Sequence, residues 1–361
     1  MNALHARVHS QVPPLDVEVT VGAGRTLAVL GRNGAGKSTL LHFIAGLLRV
    51  DGAHLAVGDR TLVDESTFVA PHRRSIALLS QQARLFPHLT VAQNIAFAPS
   101  AARRPRAQVR ETVARWLAAV DATELADRRP GQLSGGQAQR VAIARAMAAD
   151  PSVLLLDEPF AALDVDVAAR LRSLVARVLA DRRRVTVIVT HDIVDALTLA
   201  DEALVLDAGR VVDHGPVRDV VVNPVTEFAA SLAGVNLIAG RWVAGAGSES
   251  GWLRGVDLSV VGIGAASLRD GESAAATFAP RSVAVYPVAP QGSPRNVFTG
   301  EVSAVDPTGD RGTVVVQCGQ TAISAELTWD ALRELRLGVG DTVHLAIKAT
   351  EVSIYPSRSS C

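Results

Sequence analysis

The 361-residue chain carries 36 basic and 36 acidic residues, is 48% apolar and contains two cysteines, Cys318 and Cys361. That length fits two or three domains with sizeable cores, the balanced charge argues against nucleic acid as the main partner, and the cysteines make neither a disulfide framework nor a metal spacing. No run approaches the roughly 18 consecutive apolar residues of a membrane span, and no basic-then-apolar signal pattern opens the chain, so a cytosolic protein is expected.

Ala3–Val8, Leu15–Val21 and Thr26–Leu30 read as strands. The first two alternate in part, as an antiparallel edge does. The third is an apolar run, as in a buried strand. It leads into Gly31-Arg32-Asn33-Gly34-Ala35-Gly36-Lys37-Ser38-Thr39, which fits G-x-x-x-x-G-K-[ST]. Leu40, Leu41, Ile44 and Leu47 then recur at helical spacing. The loop therefore stands between a strand and a helix start. Its glycines can turn backbone N–H groups toward one point, and the helix N-terminus adds partial positive charge there. This predicts a phosphate-binding loop, with Lys37 in reach of β- and γ-phosphates and the Ser38 hydroxyl placed to ligate Mg²⁺.

Short segments follow at Ala53–Val57, Thr61–Val63 and Ser75–Ser80, the last ending at Gln81-Gln82. Residues 83–130 read as a helical insertion, with helices over Val91–Phe97 and Arg106–Val120. The second has Val109, Val113, Trp116, Leu117 and Val120 on one face. The insertion ends at Leu133-Ser134-Gly135-Gly136-Gln137, and a helix over Gln139–Ala149 follows.

Val153–Leu156 predicts a strand buried on both faces, and Asp157-Glu158 stand at its C-terminal end. Asp164 closes Ala161-Ala162-Leu163-Asp164. After a helix over Val167–Ala180, a second buried strand, Val185–Val189, ends at Thr190-His191-Asp192. Open α/β sheets bind ligands outside the carboxyl ends of their strands. Three chemically equipped strand ends therefore predict one site on a mostly parallel, doubly wound sheet.

Lys37 and Lys348 are the two lysines among the basic residues. Arg and Lys differ in shape and hydration, so lysine is expected where arginine fits badly, and Lys37 is such a place.

Taken in order, the Gly31–Thr39 loop, Gln81, the Leu-Ser-Gly-Gly-Gln signature at 133–137, Asp157-Glu158, Asp164 and His191 resemble the ATP-binding cassette ATPases. The resemblance covers roughly residues 1–235. It implies a P-loop ATPase domain in which Gly31 to Thr39 hold the phosphates of ATP. Ser38, Gln81 and Asp157 would arrange Mg²⁺ and its waters. Glu158 would act as general base or water-positioner for attack on the γ-phosphate, and His191 would contact that phosphate. Ser134, Gly135, Gly136 and Gln137 would meet the ATP of a second, head-to-tail copy, with Asp164 at that interface. The family stacks adenine on an upstream aromatic residue, yet residues 1–30 contain no Phe, Tyr or Trp. His5 or His9 are the candidate substitutes. The stretch Leu85–Val91 with Asn94–Phe97 resembles importer ATPases, whose corresponding loop receives a permease helix. Phe86 and Leu89 read there either as exposed apolar contacts or as core.

From about residue 236 the pattern becomes short strands rich in glycine. Val302–Val305, Thr313–Val316, Thr321–Leu327 and Thr342–Ile347 predict a small barrel, and Leu327–Leu335 a helical turn. Gly271–Pro287 aligns without gaps to Gly340–Pro356, and Asn236–Gly240 echoes Asn296–Gly300. This suggests two related β units, 236–288 and 292–357. The second resembles the Mop/TOBE-like molybdate-binding domains through Ser293-Pro294-Arg295-Asn296, Gly340-Asp341 and Ile347–Val352. That resemblance implies an oxyanion site of Ser293, Arg295, Asn296 and Lys348. A hydroxyl, a guanidinium fork and an ammonium suit a tetrahedral dianion. Ala279 stands where the second unit has Lys348, so only the second unit is expected to carry charged ligands.

The resemblances together imply the ATPase subunit (1–235) of a molybdate importer, with tungstate a second substrate, and a C-terminal β regulatory domain (236–361) that senses the ion. Its partners would be a second copy of the chain, two membrane permease subunits and, through the complex, a periplasmic or extracellular oxyanion-binding protein. It would sit peripherally on the cytoplasmic face of the cell membrane. Importers of sulfate, iron(III), polyamine or sugar remain open, as does a molybdate-storage or sensor protein.

Overall fold

The computed structural model describes residues 3–161, 163–245, 250–308 and 311–357. Ala162 and Cys361, named in the expectations above, lie outside them. The chain divides into two compact units between Arg218 and Asp219.

The first unit opens with β1 (Leu4–Gln11) and β2 (Pro14–Val21), paired antiparallel from Leu4↔Val21 to Gln11↔Pro14. Alternate residues of β2 are buried, as its sequence pattern demands. Next come β3 (Thr26–Gly31), α1 (Lys37–Ala45), β4 (His54–Val57), β5 (Arg60–Val63) and β6 (Ile76–Leu79). The expected helical insertion contains α2 (Val91–Ala101) and α3 (Arg106–Ala119). Both pack with α4 (Gly135–Ala148). Then follow β7 (Val153–Asp157), α5 (Val165–Leu179), β8 (Val185–Val189) and α6 (Ile193–Leu199). Two strands beyond those expected, β9 (Glu202–Asp207) and β10 (Arg210–Pro216), complete the sheet.

All ten strands form one sheet in the order β5-β4-β1-β2-β10-β9-β3-β8-β7-β6. From β9 to β6 every neighbour is parallel, and β3, β7 and β8 are buried at every position. Helices therefore cover both faces of this half. The registers Val29↔Val189 and Asp157↔Val189 bring the ends of β3, β8 and β7 to one edge.

Two short helices, α7 (Val217–Val222) at the division and α8 (Glu227–Ala233) within the second unit, precede its strands. The expected boundary at 235 falls later than the observed division. The reason is local: α8 packs on β11 (Asn236–Ala244), and the Tyr355 hydroxyl donates to the Pro224 carbonyl at 2.8 Å.

The remaining strands are β12 (Ser250–Arg254), β13 (Ser259–Gly264), β14 (Ser273–Phe278), β15 (Ala284–Tyr286), β16 (Asn296–Thr308), β17 (Arg311–Cys318), β18 (Thr321–Thr328), β19 (Thr342–Ile347) and β20 (Ser353–Pro356). The helix α9 (Trp329–Leu335) interrupts them.

The two repeats are not separate units at 236–288 and 292–357, as expected. A closed barrel runs β11-β12-β13-β20-β14, and a five-stranded sheet runs β15-β19-β16-β17-β18. Each repeat has given its last strand to the other. β20 pairs with β13 and β14, and β15 pairs with β19. Buried residues of both repeats, among them Phe278, Val285, Phe298, Leu345 and Ile354, accordingly form one hydrophobic cluster.

The exchange is clasped at two equivalent asparagines. The Asn236 side chain donates to the Ser324 carbonyl (2.9 Å) and accepts from the Ser324 N–H (2.7 Å). Asn296 does the same to Val261 of the first repeat, at 2.9 and 2.6 Å.

Candidate active site

The loop after β3 needs its glycines for two different reasons. Gly31 has φ 151°, and a Cβ there would collide with the Leu206 carbonyl. Gly36 occupies the α1 N-cap at φ 99° and offers no side chain to the first turn. The first-turn N–H groups, which no intrahelical carbonyl can satisfy, are thereby left for an anion.

Lys37 is buried, and its ammonium donates to the carbonyls of Gly31 (2.7 Å) and Arg32 (2.9 Å). Burial pushes its pKa down, while Glu158 and Asp157 act against that push. The Ser38 hydroxyl donates to Asp157 Oδ2 at 3.2 Å. Burial raises the Asp157 carboxyl above its ordinary value, the Ser38 hydrogen bond opposes this, and Glu158 adds to it. A desolvated carboxylate beside a hydroxyl is an oxygen pair that fits Mg²⁺, which typically takes one or two carboxylates plus phosphate oxygens.

Glu158 stands at the centre. Gln81 Nε2 donates to its Oε2 at 3.0 Å, and His191 Nδ1 lies 3.4 Å from its Oε1. Its backbone is left-handed at φ 46°, uncommon for a residue with a side chain. The Glu158 N–H donates to the Val189 carbonyl at 2.9 Å, tying the ends of β7 and β8. Lys37, Ser38, Gln81, Asp157, Glu158 and His191 are thus joined by hydrogen bonds, close ion pairs or direct charge interaction. Phosphoryl transfer needs this kind of positioning and charge balance more than covalent chemistry.

The signature residues are engaged with one another. Ser134 is the N-cap of α4; its hydroxyl accepts from the Gln137 N–H, and Gln137 Oε1 accepts from the Ser134 N–H. Gly135 and Gly136 form the first turn, and a Cβ on Gly135 would meet open space. Asp164 is exposed at the start of α5.

The hairpin of β1 and β2 is anchored beside the phosphate loop. Gly209 donates to the Ala35 carbonyl (3.1 Å), and its own carbonyl accepts from Asp16 (2.7 Å). His5 lies 3.6 Å from Glu18 and His9 3.4 Å from Asp16. The apolar side chain at the hairpin tip is Val12, 90% exposed.

Four buried polar residues support the site, of which Asn94 alone falls in a motif segment named above. Arg74 donates to the carbonyls of Phe43 (3.2 Å) and Ile44 (2.9 Å), which terminate α1. Gly46, at φ 82°, makes room for its guanidinium. Asn94 fastens the loop before α2 through the carbonyls of Phe86, Leu89 and Thr90. Gln139 of the signature helix donates to Pro159, next to Glu158, at 3.1 Å. Asp195 accepts from Thr190 and Arg172 beside His191. Phe86 and Leu89 are half-buried, and the Phe86 ring lies 4.5 Å from Phe97.

In the second unit, Lys348 lines a pocket of about 340 Å³ with Arg281, Ser282, Tyr286, Pro294 and Glu351. Arg281, from the first repeat, is thus a second cation lining this pocket, together with the Glu351 carboxylate. Ser293 and Arg295 are exposed and do not line this pocket. The Asn296 side chain is buried and committed to Val261.

A phosphate loop, a metal-suited oxygen pair and a Glu158 centre together define a P-loop nucleotide hydrolase. Residues 15–161 match the ABC transporter family model, and 292–354 match the TOBE domain. The chain is 47% identical over 354 residues to the molybdenum import ATP-binding protein ModC of Mycobacterium tuberculosis, covering 95% of this chain and 94% of that one. It is 42% identical to the sulfate/thiosulfate import ATP-binding protein CysA of Thermosynechococcus vestitus, over 62% of this chain and 66% of that one. To the putative 2-aminoethylphosphonate import protein PhnT of Salmonella typhimurium it is 38% identical, over 65% and 63%. Among solved structures, the post-hydrolysis dimer of the ATP-binding cassette MJ0796 with ADP and Pi matches with TM-score 0.54 and 27% identity, over 60% of this chain and 99% of that one. The chain belongs to the ATP-binding proteins of ABC transporters, ATPases coupled to import, and carries a C-terminal TOBE domain.

Proposed function

We propose that this chain hydrolyses ATP to drive molybdate uptake, with tungstate as a second substrate, and that its second unit senses the ion. One observation carries the choice of substrate. Similarity to ModC runs through both units, whereas the sulfate and aminoethylphosphonate relatives align over less than two thirds of the chain.

Glu158 orients and deprotonates the attacking water, with Gln81 and His191 holding its two oxygens. Ser38 and Asp157 hold Mg²⁺, which supplies charge neutralisation at the phosphates when bound. Lys37 leaves the Gly31 and Arg32 carbonyls for the phosphates. Ser134, Gly135, Gly136 and Gln137 serve the ATP of a second copy, so hydrolysis depends on closure of the pair, with Asp164 at the contact. The dimeric MJ0796 cassette supports that arrangement. Two permease subunits and an external oxyanion-binding protein complete the system, with this chain on the cytoplasmic face of the membrane. As sensor ligands, Lys348 and Arg281 supply the charge.

Calorimetry of the full chain with molybdate and with sulfate tests this reading. Molybdate should bind and sulfate should not at the same concentration. Equal heats, or none with molybdate, would remove the sensor assignment.

A further inference from the structure

The His191 side chain is 64% exposed, and its Nδ1 lies 3.4 Å from Glu158 Oε1. Nothing in a half-free imidazole fixes that approach, so the backbone on either side of it must. Thr190 and Asp192 supply that backbone. The Thr190 hydroxyl accepts from the Asp192 N–H at 3.0 Å and donates to Asp195 Oδ2 at 2.8 Å. Asp192 Oδ1 caps α6 through the Val194 N–H at 2.7 Å.

One side chain closes this network from another helix. Arg172 of α5 donates through Nε to Asp195 Oδ1 (2.6 Å) and through Nη2 to Asp192 Oδ2 (3.1 Å). Its guanidinium lies 5.6 Å from the centre of the Phe160 ring, two residues beyond Glu158. The Arg172 side chain is 13% exposed and that of Asp195 is 5% exposed. Burial pushes the Asp195 carboxyl up, and its bonds to Thr190 and Arg172 oppose that push. A planar fork that grips two carboxylates while lying against an aromatic ring is a task lysine cannot duplicate. It also touches both segments that must meet: the turn after Glu158 and the turn carrying His191.

We propose that Arg172 is a positioning residue for ATP hydrolysis, holding the Thr190–Asp192 turn so that His191 stays against Glu158. This rests on the hydrolytic pairing of Glu158 and His191 proposed above. The contact lies entirely within one chain. It asks nothing of ATP binding, which belongs to the Gly31–Thr39 loop.

The test is a double-mutant cycle on the full-length chain, comparing R172A, H191A and R172A/H191A by steady-state ATPase kinetics. R172A should lower kcat about tenfold with KM for ATP within about twofold, and R172K should recover part of the loss. In the H191A background, R172A should cost nothing further, because the two residues act as a unit. A second readout is independent of turnover. In nucleotide-free protein, the imidazole NMR signal assigned to His191 by its loss in H191A should shift or broaden in R172A.

An equal loss of kcat in the H191A background, or an unmoved His191 signal, overturns the proposal. Full turnover by H191A itself would instead sink the reading of His191, so the two failures are distinct. If R172A does not fold, D192N serves in its place. Asparagine still caps α6 but gives up the ion pair to Arg172, so a smaller loss of kcat should appear and again vanish with H191A. Its persistence there would refute the coupling.

Discussion

Gln81 donates its amide to Glu158 across 3.0 Å, joining residues that follow β6 and β7 although 77 positions separate them. With His191 near its other oxygen, Glu158 is approached at both carboxylate oxygens. The Glu158→Gln variant should therefore keep its fold and bind ATP while steady-state hydrolysis falls at least about 100-fold, the usual weight of a general base. It should also accumulate as a closed dimer with ATP. Normal turnover would sink the assignment.

Val12 sits at the tip of a hairpin anchored to Ala35 through Gly209. The side chain at that tip is thus aliphatic and exposed. Replacing it with Trp should tighten ATP binding by about 3- to 10-fold, the value of one aromatic stack. Pyrophosphate binding should not change. Calorimetry with both ligands would show whether the gain is confined to the base.

Asp157 gives the nucleotide-free protein a definite pH dependence. Its carboxyl is raised by burial, so its contribution to stability is fully present below the unfolded pKa of about 3.9 and is lost as pH rises through the folded value. Asp157→Asn should flatten that decline and raise Tm at pH 7 without nucleotide, while Mg²⁺-dependent ATP hydrolysis disappears. A lower Tm for the variant at pH 7 would contradict the sign.

Much of this site is legible from residue order because its groups stand at the ends of apolar runs. Val153–Leu156 announces Asp157 and Glu158, and Val185–Val189 announces His191. The supporting residues carry no such local mark. Arg74 is defined by Phe43 and Ile44, and Gln139 by Pro159; each is a polar side chain whose meaning lies in a distant carbonyl. The left-handed backbone of Glu158 likewise follows from packing, not from residue type. In the second unit the repeat is visible in the alignment, but strand partnership is not. β15 has three residues and β20 four. Such short strands go where edges are open, and the edge each finds belongs to the other repeat.

Asn236 and Asn296 offer a direct measure of that exchange. Each satisfies one N–H and one carbonyl of the opposite repeat. Either alanine variant should cost about 2 kcal/mol, since buried backbone groups lose their partners. Chemical denaturation of the full chain, followed by Trp fluorescence, should show the two variants to be similar. A large loss for one and none for the other would break the equivalence.

A stop codon just before Ser353 would look like a trim of the extreme C-terminus. Its damage would fall nearly a hundred residues upstream. Removing β20 strips a stave from the barrel and turns both β13 and β14 into raw edges. The newly bared β14 is Ser-Ala-Ala-Ala-Thr-Phe, uncharged and free of proline, the kind of edge that recruits other chains. Nonsense changes at the tail should therefore produce aggregates, not a shortened protein with one repeat intact.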